Sequence, residues 1–169
     1  MPEKLPVRFV IVMGVSGSGK TSVGERLAGR LGWSFYDADN FHPPENVEKM
    51  ARSIPLMDAD RLPWLTRLHD LIHDHLQQDK PGVLACSALR LRYRDLLRAD
   101  NAGVGFVYLH TDYETIFARM QARNGHYMKA GMLQSQFDTL EEPSTAEALQ
   151  LDASQPLDTL MDQIIAWLG

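Results

Sequence analysis

The stretch RFVIVMGVSGSGKT, residues 8–21, decides the fold. Its first half is a short apolar, β-rich run ending at Gly14, which reads as a buried strand. Its second half, Gly14-Val15-Ser16-Gly17-Ser18-Gly19-Lys20-Thr21, fits G-x-x-x-x-G-K-[ST] at every fixed position. The glycines let the backbone wrap until several N–H groups point inward. Together with the N-terminus of the helix that follows, those donors make a site for phosphate oxygens. Lys20 supplies a mobile positive charge for β- and γ-phosphates, and the Thr21 hydroxyl is placed to ligate magnesium. The competing reading is a Gly/Ser turn with an incidental lysine; the strand before it and the helix after it argue against that. A dinucleotide loop is disfavoured as well, because Ser22 stands where glycine or alanine would be needed.

After the loop, Val23, Leu27 and Leu31 recur every four residues and predict a helix that Gly32 stops. Further strands are expected at 33–36 (WSFY), 83–86 (VLAC), 104–109 (VGFVYL) and 148–152 (ALQLD). Helices are expected from Pro43-Pro44 to about Arg52, over Leu65 to Leu76, over 90–99, and from Tyr113 to Arg123. A closing amphipathic helix carries Leu157, Leu160, Met161, Ile164, Ile165 and Leu168. Residues 124–147 are less periodic. Strands alternating with helices predict an α/β fold, a parallel sheet covered on both faces with right-handed crossovers. Ligands then belong at the carboxyl ends of the strands, at 14–21, 37–42, 87–94 and 110–112.

Composition sets bounds. The 169 residues suit a single domain spanning 1–169, and 44% hydrophobic with 23% charged residues excludes disordered and fibrous classes. With 17 Lys+Arg against 22 Asp+Glu, the net charge of -5 argues against a nucleic-acid binder. A small anionic substrate remains allowed, because local basic groups can line a pocket in an acidic protein. Cys86 is the only cysteine, which excludes an intrachain disulfide and fits a reducing compartment. The run Val7 to Met13 is interrupted by Arg8 and too short to span a membrane, so a soluble, cytoplasmic protein is expected.

Two groups of residues flank the expected ligand site. Asp37 and Asp39 lie at i and i+2 after the second strand and share a face if the backbone stays extended. If that strand lies near the first, they look toward the phosphate loop. One carboxylate then takes a proton from an attacking hydroxyl or holds a magnesium-bound water, while the other accepts hydrogen bonds from a polyol. A solvated Asp-rich turn is the alternative. Arg90, Arg92, Arg94 and Arg98 crowd the helix after the third strand, where a guanidinium can pair with a substrate carboxylate or simply with Asp95 and Asp100. Arg119 and Arg123 repeat at i, i+4 before the irregular stretch, as lid arginines or as ordinary surface ones. His69 and His73 imitate a zinc motif but lack its glutamate and a third ligand.

The segments YDADNFHPPENVEKM (36–50), PLMDADRLPWL (55–65), ACSALRLRYRDLLR (85–98) and NGHYMKAGMLQSQFDTLEEP (124–143), taken in order, resemble the bacterial gluconokinases. The resemblance runs from about Val10 to the C-terminus. It implies ATP-dependent phosphorylation of D-gluconate to 6-phospho-D-gluconate on a three-layer P-loop kinase fold like that of shikimate and adenylate kinases. It also implies a five-stranded parallel sheet, a mobile lid within 124–147, Mg2+ and a homodimer. Carried over by position, Gly14 to Thr21 and Arg119 hold the nucleotide, and Thr21 and Asp37 face the magnesium. Lys20, Asp37 and Arg123 act on the transferring phosphoryl group. Asp39, His42, Lys49, Arg61 and Arg90 are the gluconate candidates. His126 and Gln136 match family-like positions without an assigned role. Ser53 departs from an expected glycine, and Tyr127 from phenylalanine. Two rivals remain: another small-molecule or nucleotide kinase of this fold, and a non-catalytic nucleotide-binding module. A shikimate kinase should carry a glycine cluster where this chain has Cys86-Ser87-Ala88.

Overall fold

The computed structural model describes residues 6–122 and 130–169. At its centre is β1 (Phe9–Met13), fully buried along its length. A strand alternates its side chains between faces, so β1 feeds two cores. Phe9, Ile11 and Met13 pack with Trp64, Leu68, Ile72 and Leu97 on one face. Val10 and Val12 pack with Val23, Leu27, Leu160, Met161 and Ile164 on the other. Both faces being covered is why the strand reads as an unbroken apolar run.

The chain continues as α1 (Lys20–Leu31), β2 (Ser34–Asp37), a 3₁₀ turn (Ala38–Phe41), α2 (Pro44–Ala51) and α3 (Asp58–Gln77). It then forms β3 (Gly82–Ala85), α4 (Leu91–Arg98), β4 (Val104–His110) and α5 (Tyr113–Ala122). Last come α6 (Ala130–Thr139), β5 (Ala148–Asp152) and α7 (Leu157–Leu168). The five strands form one parallel sheet in the order β2-β3-β1-β4-β5, with Val10 opposite Val83 and Ile11 opposite Phe106. The strand order places β3 between β1 and β2, so the second strand is not the first strand's neighbour. Among the described residues, no helix is long and apolar enough to cross a membrane.

Three local differences from the sequence expectations have physical causes. Helix α3 starts at Asp58, well before the apolar stripe from Leu65, and runs through Pro63. Asp60 stabilises that start by accepting from the Met57 backbone N–H at 2.8 Å. Part of the aperiodic stretch is helical: α6 docks Leu133 against Val15, Leu89 and Ile116, with Phe137 packed alongside. Its helicity thus comes with tertiary packing more than with a clean stripe. The carboxylate pair does not stay extended, because the chain turns into the 3₁₀ helix and Asp37 Oδ1 accepts from the Asp39 N–H at 2.9 Å. Ser53 has a φ of +59°, a left-handed conformation that suits the glycine expected there.

The arginines of α4 divide. Arg94 is almost wholly buried, its side chain 1% exposed. It donates to Glu147 Oε1 at 2.6 Å, to the Ala88 carbonyl at 2.8 Å and to the Glu141 carbonyl at 2.9 Å. Arg98 reaches the same Glu147 oxygen at 2.5 Å and lies 3.6 Å from Asp95. The carboxylate that Arg94 meets is therefore the protein's own. Removing one partner of a buried ion pair leaves a charge uncompensated, at a cost on the order of 3 kcal/mol. Glu147→Ala is expected to lower unfolding stability by about that amount in urea denaturation; a change below about 1 kcal/mol would show the network to be incidental.

Candidate active site

A cavity of about 630 Å³ opens at the carboxyl ends of β1, β2 and β3. Its walls come from segments far apart in sequence. The phosphate loop contributes Ser16, Gly17, Lys20 and Thr21, the end of β2 contributes Asp37 and Asp39, and the following segments contribute His42, Ser53, Arg61 and Trp64. Ser87 and Leu89 enter from the loop after β3, and Ser135, Gln136 and Thr139 from α6. Residues 110–112, expected at a strand end, lie outside it, and His110 meets Glu142 at 3.3 Å.

The loop adopts the backbone that its glycines require. Gly17 and Gly19 have φ of +81° and +98°, where side chains are strained. Lys20 Nζ donates to the Val15 carbonyl at 3.0 Å, folding the lysine back across the loop. Withdrawal from water lowers its pKa below the usual lysine value, while Asp39 and Asp37 act in the opposite direction. Gln136 meets the loop directly. Its Oε1 accepts from the Ser16 backbone N–H at 2.7 Å, and its Nε2 donates to Ser16 Oγ at 3.0 Å. An amide oxygen thus occupies a backbone donor of the kind that binds a phosphate oxygen.

On the other wall, the Thr21 hydroxyl donates to Asp37 Oδ2 at 3.3 Å. A hydroxyl and one carboxylate fit Mg2+, which takes few protein ligands and completes its shell with phosphate oxygens and waters. Among the described residues no group of three or more His, Cys, Asp or Glu could hold a metal by itself. Asp39 has its pKa raised, first by desolvation in the cleft and then by Asp37, with Lys20 opposing. His42 stacks on Trp64 with ring centroids 4.2 Å apart and planes 14° from parallel, and Trp64 Nε1 donates to the Ala38 carbonyl at 2.7 Å. Arg61 Nη1 donates to the Tyr93 hydroxyl at 3.0 Å, with the guanidinium 5.4 Å from that ring's centroid. Tyr93 in turn bonds to Asp58. Cys86, at the end of β3, is buried, and burial pushes its thiol up to about 12, which leaves it inert at neutral pH.

The cavity thus brings together Ser16, Gly17, Lys20, Thr21, Asp37, Asp39, His42 and Arg61 from the sequence candidates. Gly14, Val15, Ser18 and Gly19 shape the loop behind it. Lys49 and Arg90 are not in its wall. Lys49 Nζ pairs with Asp60 at 2.7 Å, and Arg90 stands at the N-cap position of α4 without a side-chain capping bond, its Nε buried. Arg119 sits apart, donating to the Ala153 carbonyl beyond β5 at 3.4 Å. Arg123 and His126 lie outside the described residues. Sequence reasoning passed over Trp64, Tyr93 and Asn46, whose roles arise from contacts between separate helices. It noted Gln136 but had no signal for its position on the loop.

A parallel sheet with this loop at the end of its central strand, facing an acceptor cavity, defines a P-loop kinase. A family model described as shikimate kinase matches residues 16–168. The chain is 44% identical over 155 residues to the thermosensitive gluconokinase of Escherichia coli (strain K12), covering 90% of this chain and 83% of that one. It is 44% identical over 162 residues to the gluconokinase of Gluconobacter oxydans (strain 621H), covering 95% and 91%. A crystal structure of a gluconokinase from Sinorhizobium meliloti 1021 superposes with a TM-score of 0.86 at 42% identity, covering 98% of this chain and 93% of that one. The chain belongs to the gluconokinase family, within the shikimate kinase-type P-loop kinases.

The state of His42 is open to measurement. Burial, and then the Arg61 charge, lower its pKa from 6.5 to about 4. Between those values the unfolded chain binds a proton at this ring that the folded chain does not, so stability falls as pH drops from 6.5 to about 4. An NMR titration should place the His42 midpoint near 4, and His42→Gln should flatten the decline in stability across that window. A midpoint near 6.5 would contradict the burial argument.

Proposed function

We propose that this chain transfers the γ-phosphoryl group of ATP to a hydroxyl of D-gluconate, giving 6-phospho-D-gluconate and ADP. The observation that carries this reading is the single cavity joining the phosphate loop to Asp37, Asp39, His42 and Arg61, in a member of the gluconokinase family. A polyhydroxy carboxylate needs hydrogen-bonding partners for its hydroxyls and a cation for its carboxylate. Asp39 and His42 offer the first and Arg61 the second.

The loop N–H groups and Lys20 hold the β- and γ-phosphates and spread the charge that develops in transfer. In this reading Gln136 gives up its Ser16 contact when a phosphate oxygen takes that donor. Thr21 and Asp37 would hold Mg2+, which when bound neutralises phosphate charge. Asp37, fixed by Thr21 and the Asp39 N–H, stands on the phosphoryl side and takes the proton of the attacking hydroxyl. Asp39, with its raised pKa, is a strong acceptor for hydrogen bonds from substrate hydroxyls. Arg119 is assigned to the nucleotide, and Arg123 to the transferring phosphoryl group, with a lid segment within 124–147. Lys49 and Arg90 act at one remove, Lys49 through Asp60 and Arg90 at the start of α4. A cytoplasmic homodimer completes the reading, on the strength of the family resemblance and the lone cysteine.

A panel of gluconate, shikimate and nucleoside monophosphates, scored by ATP consumption, tests the substrate. Gluconate should give the highest kcat/KM; equal or faster turnover of another acceptor would refute the proposal.

The two aspartates should separate kinetically. Asp37→Asn removes a charge needed chiefly as the hydroxyl attacks, so kcat should fall about a hundredfold, equivalent to roughly 3 kcal/mol. Asp39→Asn weakens an acceptor for substrate hydroxyls, so gluconate KM should rise while ATP KM changes little. Steady-state kinetics on both folded variants decide between this assignment and its reverse.

A further inference from the structure

Asn46 is a buried polar residue of α2, 2% exposed, and none of the roles above includes it. Its side-chain nitrogen lies 2.8 Å from the Asp60 carbonyl oxygen. A carbonyl can only accept, so the atom facing it must be the amide Nδ2, which fixes the orientation of the amide. The same Nδ2 lies 3.1 Å from His42 Nδ1. An amide nitrogen can only donate, so Nδ1 must offer its lone pair, and the ring proton of a neutral imidazole then sits on Nε2. The stack on Trp64 fixes the ring plane, and the ring forms part of the cavity wall.

We propose that Asn46 is a positioning residue that holds His42 as its Nε2–H tautomer, so that the ring presents a neutral N–H donor to a hydroxyl oxygen of the acceptor. The inference rests on the reading of the cavity as a polyhydroxy-carboxylate site and deepens it. Burial and the neighbouring Arg61 keep the ring uncharged at neutral pH. A neutral donor binds hydroxyl oxygen without competing with Arg61 for the carboxylate. The polar groups of the pocket thereby divide: Arg61 for the carboxylate, Asp39 accepting from one hydroxyl, His42 donating to another. The anchor depends on tertiary structure, since the Asp60 carbonyl that orients the amide belongs to α3 and Asn46 to α2.

The experiment is a long-range ¹H–¹⁵N correlation spectrum of the ¹⁵N-labelled full chain, with the His42 signals assigned by their loss in His42→Gln. The wild-type ring should show an unprotonated Nδ1 and a protonated Nε2; a protonated Nδ1 overturns the proposal. Asn46→Asp sets an acceptor against Nδ1 and should reverse the tautomer, moving the proton to Nδ1 and leaving Nε2 without its donor. Gluconate KM should then rise about five- to tenfold, the scale of one lost hydrogen bond, with ATP KM unchanged. A variant that keeps the wild-type tautomer, or reverses it without raising gluconate KM, also overturns it. Should Asn46→Asp not fold, His42→Gln and His42→Ala decide the donor role. Glutamine retains an N–H donor and should lose less gluconate affinity than alanine; equal losses count against the proposal. Absence of gluconate turnover by the wild-type chain refutes the substrate reading instead, while the spectrum still reports the tautomer.

Discussion

The left-handed backbone at Gly17 and Gly19 is the constraint on which the rest of the structure depends. At Gly19 an added Cβ would meet nothing within 4 Å, so the demand there is conformational. At Gly14 it is spatial, since a Cβ would lie 2.8 Å from Ser18 Oγ and 3.0 Å from the Leu109 carbonyl. Together these positions let the chain pass from the centre of the sheet into α1 in a single turn. The turn is mounted on β1, a strand buried on both faces. Lys20 and Thr21 follow as the first residues of α1.

The side of the cavity carrying His42 and Arg61 is built differently, from a chain of polar contacts linking α2, α3 and α4. Asp60 takes Lys49 on its carboxylate and Asn46 on its carbonyl. Asn46 holds His42, His42 stacks on Trp64, and Trp64 is tied to the turn after β2. Arg61 is held by Tyr93, and Tyr93 by Asp58. Behind the loop after β3, Arg94 grips the carbonyl of Ala88, a residue with φ of +46°. That interaction holds a strained backbone between Ser87 and Leu89, both of which face the cavity. The phosphate-loop side of the cavity thus rests on backbone geometry, and the side carrying His42 and Arg61 on side-chain pairing.

The five strands and the terminal helix were legible because apolar runs and helical stripes are local signals. The start of α3 was hidden by Pro63, which marks a helix boundary more often than an interior. Helix α6 was hidden because its helicity accompanies packing against Val15, Leu89 and Ile116. The placing of β3 between β1 and β2 has no signature in a pattern of alternating elements.

By itself the sequence determined the phosphate loop, the parallel α/β class and the family, because each is written in residues close together or in ordered motifs. Only the tertiary structure decided which cations face the cavity. Arg61 faces it, whereas Lys49 is matched to Asp60, Arg92 to Asp58 and Arg94 to Glu147. Each of those carboxylates is remote in sequence from its partner. A basic residue has the same charge whether its carboxylate belongs to the protein or to a substrate, and only the packing of separate helices distinguishes the two.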